Sequence, residues 1–160
     1  MNDHDRNLEQ EIQTAFAGRA YPGDDHIARR KEETWLRFRG KDWQEIVSLG
    51  REFDLRSDIS SLTFEGFAYY LPAFLTLSLD LEGPLDLDEF VAHHLWSFPE
   101  EIAPLLNPRE KRAVVHILEF LAREYEKRNY VSNNAQLALD HYWAYFTDQE
   151  LGTSTDDIQK

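Results

Sequence analysis

The chain has 160 residues, of which 17 are Lys or Arg and 30 are Asp or Glu, so its formal charge is −13, and it contains no cysteine. The charge repels nucleic acid and anionic lipid, whereas the lack of cysteine excludes disulfides, thiolate nucleophiles and cysteine-ligated metal sites. The sequence is 42% hydrophobic, which is enough for a folded core, and its length is typical of one domain. It has no run near the roughly 18 apolar residues of a membrane span and no apolar stretch at its start, so we expect a cytoplasmic protein.

Apolar residues recur at the helical period of 3.6 rather than alternating as in a strand, which predicts an all-α fold. The first predicted helix covers about residues 7–17, the second begins at Asp24, and the third begins at Asp42. Residues 50–62 have no sustained period and are predicted to form a loop. In the helix that follows, residues 63–79, apolar side chains cover nearly every direction, so we expect it to lie at the centre of the fold.

Residues 86–106 are predicted to contain one helix and one loop. Asp86, followed three residues later by Glu89, resembles a capping box at the start of a helix over residues 87–96. Prolines bracket the next segment, residues 98–106, which is predicted to be a loop.

The C-terminal part is predicted to form a helical hairpin. An N-cap, a first-turn proline and a capping carboxylate start its long helix: Asn107, Pro108 and Glu110. The last helix starts at Ser132 or Asn133 and continues to Phe146. We therefore expect a compact bundle of about six or seven helices over residues 1–146, followed by a polar, mobile tail over residues 147–160.

Four segments resemble a family of small, uncharacterised, mostly bacterial proteins. They are YPGD at 21–24, GKDW at 40–43, LTFEGFAYYLPAFL at 62–75 and LNPREKRAVVHILEFL at 106–121. The third is the most specific, because the family shares a core of the form LTxEGFxYYLPAFL, with Gly or Ala at its fifth position. The resemblance spans about residues 8–146 and implies an all-α domain, but it implies no activity.

The sequence contains no recognisable catalytic constellation. It lacks a G-x-S-x-G elbow, an S-x-x-K motif and the glycine-rich loops that bind phosphate, which excludes the enzyme classes built on them. Asp24, Asp25 and His26 are adjacent and could support acid–base chemistry, but capping of a helix explains them more simply. We therefore predict no catalytic residue and no cofactor.

One helix carries a pattern that is typical of metal ligands. Asp86, Glu89 and His93 share a helical face, and zinc or di-metal centres use histidine and carboxylate ligands at such spacings. A favourable interaction of the two carboxylates with the helix N-terminus is the simpler explanation. A metal-dependent hydrolase or metal-binding enzyme with these three ligands remains the second functional hypothesis.

Charge is distributed unevenly along the chain. Residues 80–101 contain seven carboxylates and no Lys or Arg, whereas residues 29–41 contain six basic and two acidic side chains. Aromatic side chains among uncompensated carboxylates are typical of a surface that binds a basic protein. The predicted partner-binding residues are Asp80, Glu82, Asp86, Asp88, Glu89, Trp96, Phe98, Glu100 and Glu101.

The first functional hypothesis is therefore a non-catalytic interaction module that binds a basic protein partner, in the manner of an immunity protein that neutralises a toxin. Ordinary solubility is the simpler explanation of the acidity. In a third hypothesis the chain is a self-associating scaffold, in which the basic residues 29–41 of one subunit meet the acidic residues 80–101 of another.

Overall fold

The computed structural model describes residues 2–83 and 86–146, and it confirms the predicted all-α fold. Those two ranges contain nine α-helices and no strand, with one isolated antiparallel bridge between Ala28 and Leu62. None of the helices there is long and apolar enough to cross a membrane. The predicted tail, residues 147–160, lies outside the described residues.

The helices follow one another along the chain with short connections. They are α1 Asp3–Phe16, α2 Glu33–Phe38, α3 Trp43–Gly50, α4 Arg56–Ile59, α5 Phe64–Ser78, α6 Leu87–Ser97, α7 Pro99–Ile102, α8 Pro108–Lys127 and α9 Asn134–His141. Single 3₁₀ turns lie at Asp24–His26, Ala103–Leu105 and Trp143–Tyr145.

The first two helices differ from their predicted bounds. α1 begins at Asp3 rather than at residue 7, because the side chain of Asn2 caps it by accepting a hydrogen bond from the amide of Asp5 at 2.9 Å. The second predicted helix is reduced to a 3₁₀ turn before α2. Its middle is extended instead, since residues 27–29 form backbone hydrogen bonds with residues 61–63.

Two predicted loops contain single helical turns. α4 lies within residues 50–62, where the carboxylate of Asp54 accepts a hydrogen bond from the amide of Arg56 at 3.0 Å. α7 lies within residues 98–106 and has Pro99 at its first position, where a missing N–H costs nothing.

The predicted start of α6 at residue 87 is confirmed, but its predicted cap and the predicted end of the last helix are wrong. Asp86 makes no capping hydrogen bond through its side chain, so the predicted capping box with Glu89 is wrong. The last helix ends at His141, short of Phe146, because the backbone turns at Tyr142 and carries Trp143 into the core. There the indole N–H of Trp143 donates to the carbonyl of Leu95 at 2.9 Å.

Five helices contact one another in a ring around the core. α5 lies against α1 and α6, α8 lies against α1 and α9, and α9 closes the ring on α6, while α3 covers the outside of α5. Eleven of the fifteen residues of α5 are buried, which supports the central position predicted for it. Five large apolar residues of α5 and α8 are each at most 1% exposed: Phe67, Leu71, Phe74, Ile117 and Leu121.

The start of α5 is joined closely to the preceding chain. The hydroxyl of Thr63 accepts a hydrogen bond from the amide of Gly66 at 2.9 Å and donates to the carbonyl of His26 at 2.5 Å. A Cβ added to Gly66 would lie 2.1 Å from the carbonyl oxygen of Ile27. This contact is a physical reason for glycine at position 66 of this chain.

The start of α8 is the predicted capping box. Asn107 and Glu110 exchange side-chain-to-amide hydrogen bonds, each of 2.8 Å. Glu110 is only 3% exposed, and its other oxygen accepts a hydrogen bond from Nε of Arg19 at 2.9 Å. Because Arg19 follows α1, this pair connects the end of α1 to the start of α8.

Candidate functional site

The outer side of α6 and α7 carries aromatic and acidic side chains together. Phe90 is 46% exposed and Trp96 is 37% exposed, although both are large apolar residues. Three carboxylates and one histidine beside them are exposed, and a fourth carboxylate is half-buried. We call this set the acidic–aromatic surface, and its members are Asp86, Glu89, Phe90, His93, Trp96, Glu100 and Glu101.

The helical period of α6 explains why this surface faces outward. Leu87, Val91 and Leu95 recur every four residues and are at most 8% exposed, so they fix the inner side of the helix. Phe90 and His93 therefore face solvent. Phe90 is not among the residues predicted for this surface, although its position four residues after Asp86 places the two on one face.

The carboxylates of the surface are largely uncompensated. Asp86, Glu89, Glu100 and Glu101 form no ion pair within 4 Å of any residue that the structure describes. The pKa of Glu89 is raised, first by its partial burial and then by the neighbouring charges of Asp86 and Asp88. The acidity predicted from the sequence is thus present at the surface as a local excess of negative charge.

The guanidinium of Arg56, in α4, lies beside this surface. Its guanidinium lies 5.7 Å from the ring centroid of Phe90, in the geometry of a cation–π contact. Asp54 holds the same guanidinium through hydrogen bonds of 3.0 and 2.9 Å, and these bonds lower the pKa of Asp54. Arg56 is therefore matched first by Asp54, which lies outside the surface, and the charge of Asp86 contributes less to the raised pKa of Arg56.

Three of the predicted partner-binding residues are engaged within the chain. Asp88 is 6% exposed and accepts a hydrogen bond from the hydroxyl of Tyr125, and burial raises its pKa. Phe98 is half-buried, with its ring centroid 5.3 Å from that of Phe64. Glu82 is exposed but pairs with Arg128 of α8 at 2.8 Å. Asp88 and Phe98 thus lie inward, away from the surface that a partner would contact.

Asp80, the remaining predicted residue, lies in the turn after α5. It is exposed, and its carboxylate accepts a hydrogen bond from the amide of Glu82 at 3.2 Å. Its contact is local to that turn, so we assign Asp80 to a neighbouring position rather than to the acidic–aromatic surface.

The predicted metal ligands do not converge. In residues 2–83 and 86–146, no group of three or more His, Asp or Glu side chains could hold a metal ion. His93 instead lies 3.4 Å from the hydroxyl of Ser97, and its ring centroid is 5.7 Å from that of Trp96. The trio Asp86, Glu89 and His93 therefore does not form the predicted ligand set.

The acidic cluster near residue 24 is likewise divided among separate partners. Asp24 accepts a hydrogen bond from the hydroxyl of Tyr21 at 2.5 Å, and Asp25 pairs with Lys31 at 3.1 Å. These contacts are structural, but they are not helix caps: Gly23 is the N-cap of the 3₁₀ turn and no side chain caps it, so the predicted capping by this cluster is wrong.

The basic segment, residues 29–41, is partly used inside the fold. Arg37 donates to Asp58 at 2.6 Å, and the ammonium group of Lys41 donates to the carbonyl of Arg37 at 2.7 Å. Arg39 lies 4.7 Å above the ring of Trp35. Much of the positive charge predicted to be available for self-association is therefore engaged within the same chain.

A cleft of about 820 Å³ lies where the first turn of α1 meets the last turns of α3, α5 and α8. Leu55, Leu79, Leu87 and Phe120 contribute apolar side chains to its wall. Charged residues of both signs line it as well: Arg51, Arg123, Lys127 and Arg128, and Asp5, Glu9, Asp80, Glu82 and Glu124. Because the two signs nearly balance, the cleft favours no ligand charge.

His94 supports the acidic–aromatic surface from within. It is 7% exposed, its ring contacts those of Phe64, Phe67 and Phe98, and its Nε2 has no hydrogen-bond partner among the described residues. Burial, followed by the charges of His93 and Arg29, lowers its pKa to about 4. At neutral pH His94 is therefore an uncharged packing residue.

The fold and this surface define a class of protein: a small all-α domain that exposes aromatic side chains among carboxylates. The family model described as "Family of unknown function (DUF6714)" matches residues 5–147, and the chain belongs to that family. This agrees with the resemblance seen in the sequence motifs. No curated protein and no solved structure matches the chain.

Proposed function

We propose that the protein is a non-catalytic interaction module whose acidic–aromatic surface binds a basic protein. The observation that carries the proposal is the exposure of Phe90 and Trp96 on one surface with four carboxylates that have no ion pair in the described part of the chain. Neutralisation of a basic toxin, as by an immunity protein, is the form of this function that we favour.

The two kinds of side chain have different physical roles in such a complex. Burial of Phe90 and Trp96 supplies affinity, at roughly 25 cal/mol for each Å² of apolar surface removed from water. The carboxylates supply steering, because a basic partner is attracted over about a Debye length and relieves the repulsion among them on binding. A net charge of −13 extends the same preference to the whole molecule.

The structure supports this function more than the other two hypotheses. A metal enzyme needs ligands that converge, whereas His93 is directed toward Ser97 and Trp96. A self-associating scaffold needs a free basic surface, whereas Arg37 and Lys41 bind groups within the same chain.

The test begins with affinity capture from the native host and then measures the association kinetics of the captured partner with purified protein. The variant Asp86→Lys/Glu100→Lys reverses two exposed charges of the surface. We expect its association rate at low salt to fall about tenfold or more, and the wild-type rate to fall steeply as salt rises.

The matched control is Glu119→Lys/Glu126→Lys, which makes the same charge change on the exposed side of α8. Its association rate should stay within about threefold of wild type, because the change lies away from the contact. The variant Phe90→Ser should mainly accelerate dissociation. A partner whose binding is unaffected by both Asp86→Lys/Glu100→Lys and Phe90→Ser would overturn the proposal.

A further inference from the structure

The acidic–aromatic surface exposes two aromatic rings, Phe90 and Trp96, and among the described residues only the Phe90 ring has a cation beside it. At Phe90 the guanidinium of Arg56 lies beside the ring while Asp54 holds it through three hydrogen bonds. At Trp96 an exposed ring is followed by the exposed carboxylates of Glu100 and Glu101. No Lys or Arg of residues 2–83 and 86–146 lies over the Trp96 ring.

From this difference between the two rings we infer that the partner of the proposed function supplies an arginine side chain to Trp96, with Glu100 or Glu101, the exposed carboxylates that follow it in the chain, as its carboxylate. The inference rests on the proposed function and specifies the chemistry of the partner. Indole is the aromatic ring that binds cations best, so the unoccupied position is the stronger of the two.

Arginine fits this position better than lysine for two reasons. Its planar guanidinium can stack on a ring and at the same time donate two parallel hydrogen bonds to a carboxylate, as Arg56 does between Phe90 and Asp54. An ammonium group is a compact and strongly hydrated charge, and it gives up more solvation to make the same contact. His93 lies beside the Trp96 ring at 5.7 Å and limits the approach from that side.

The test uses two short peptides that differ only in their cation: acetylated, amidated Gly-Arg-Gly-Arg-Gly and Gly-Lys-Gly-Lys-Gly. Both are titrated into the full chain at low salt, and binding is followed by NMR through the indole N–H of Trp96 and the amides of α6 and α7. We expect the arginine peptide to bind about two- to fivefold more tightly than the lysine peptide, with its shifts concentrated at Trp96.

Two variants locate the preference. Trp96→Leu should abolish the difference in affinity between the two peptides. Glu100→Gln/Glu101→Gln should reduce that difference, and this variant provides the test if Trp96→Leu does not fold. Tyr145→Leu is the matched control, because Tyr145 is a 68% exposed aromatic residue outside the surface, and it should preserve the difference.

The outcomes separate the inference from the proposed function. Equal binding of the two peptides at the surface, or an arginine preference that survives both Trp96→Leu and Glu100→Gln/Glu101→Gln, would overturn the inference and leave the basic-partner function standing. Binding of neither peptide at the surface, with shifts spread evenly over the molecule, would contradict both.

Discussion

At residue 66 the absence of a side chain determines how the chain packs. Alanine is the better helix former by up to about 1 kcal/mol, so Gly66→Ala would stabilise an isolated helix. In this fold the new Cβ would lie 2.1 Å from the carbonyl oxygen of Ile27, which is backbone and cannot rotate away. We therefore expect a net loss of about 1–3 kcal/mol in the free energy of unfolding, measured by urea denaturation.

Gly18→Ala is the control for this prediction, because nothing lies within 4 Å of the position that its Cβ would take. It should change the stability by less than about 0.5 kcal/mol. If Gly66→Ala proves as stable as wild type, the chain near Ile27 moves freely and the close contact with α5 is not rigid.

The candidate surface shows which residue properties the sequence could predict. It predicted the acidity of residues 80–101 and the exposure of Trp96, because both depend on local composition. It could not distinguish exposed Asp86 from buried Asp88, since the hydroxyl that accompanies Asp88 comes from Tyr125 of another helix. For the same reason it overlooked Arg128, which neutralises Glu82 from α8.

Among the helices, α8 combines a local cap with a long-range contact, so mutations can separate the two. Asn107→Ala removes only the cap and should cost about 1 kcal/mol of stability. Glu110→Ala also leaves the mostly buried guanidinium of Arg19 without its carboxylate, so we expect a larger loss of about 3 kcal/mol. Urea denaturation of these two variants and of Arg19→Ala measures the three losses of stability. Equal losses for Asn107→Ala and Glu110→Ala would show that the ion pair between Arg19 and Glu110 does not contribute to stability.

The distinction between local caps and long-range contacts also explains which helix boundaries were predicted correctly from the sequence. Starts defined by a cap, at Asp42, Thr63 and Asn107, were confirmed because the signal lies within four residues. α4 and α7 were missed because one turn is too short to show a period. The end of α9 at His141 was missed because it depends on the burial of Trp143 against Leu95, a contact between distant parts of the chain.

At the scale of the whole molecule, His94 should make stability depend on pH. An unfolded chain protonates this residue near pH 6.5, whereas the folded protein does so only near pH 4. The contribution of the neutral imidazole is therefore complete above pH 6.5 and is lost as the pH falls toward 4. Asp88 acts in the opposite direction, because its raised pKa lets the folded state take up a proton before the unfolded state does.

Comparison of two histidine variants isolates the contribution of His94 to the pH dependence of stability. Between pH 7 and 4, His94→Leu should lose up to about 3 kcal/mol less stability than wild type, as measured by urea denaturation at each pH. His141→Leu, at an exposed position, should keep the wild-type dependence. An unchanged pH profile in His94→Leu would contradict this prediction. It would mean that local opening of the structure removes the cost of protonating His94 among Phe64, Phe67 and Phe98.

The link between α1 and α8 also has a consequence for synthesis on the ribosome. α1 ends at Phe16, but α8, against which it packs, begins only at Pro108. At roughly 5–20 residues per second, about 5–20 seconds pass between the appearance of the two helices. During that interval the apolar stripe of Leu8, Ile12 and Phe16 lacks its final cover, so we expect the growing chain to expose this stripe to chaperones until α8 has been made.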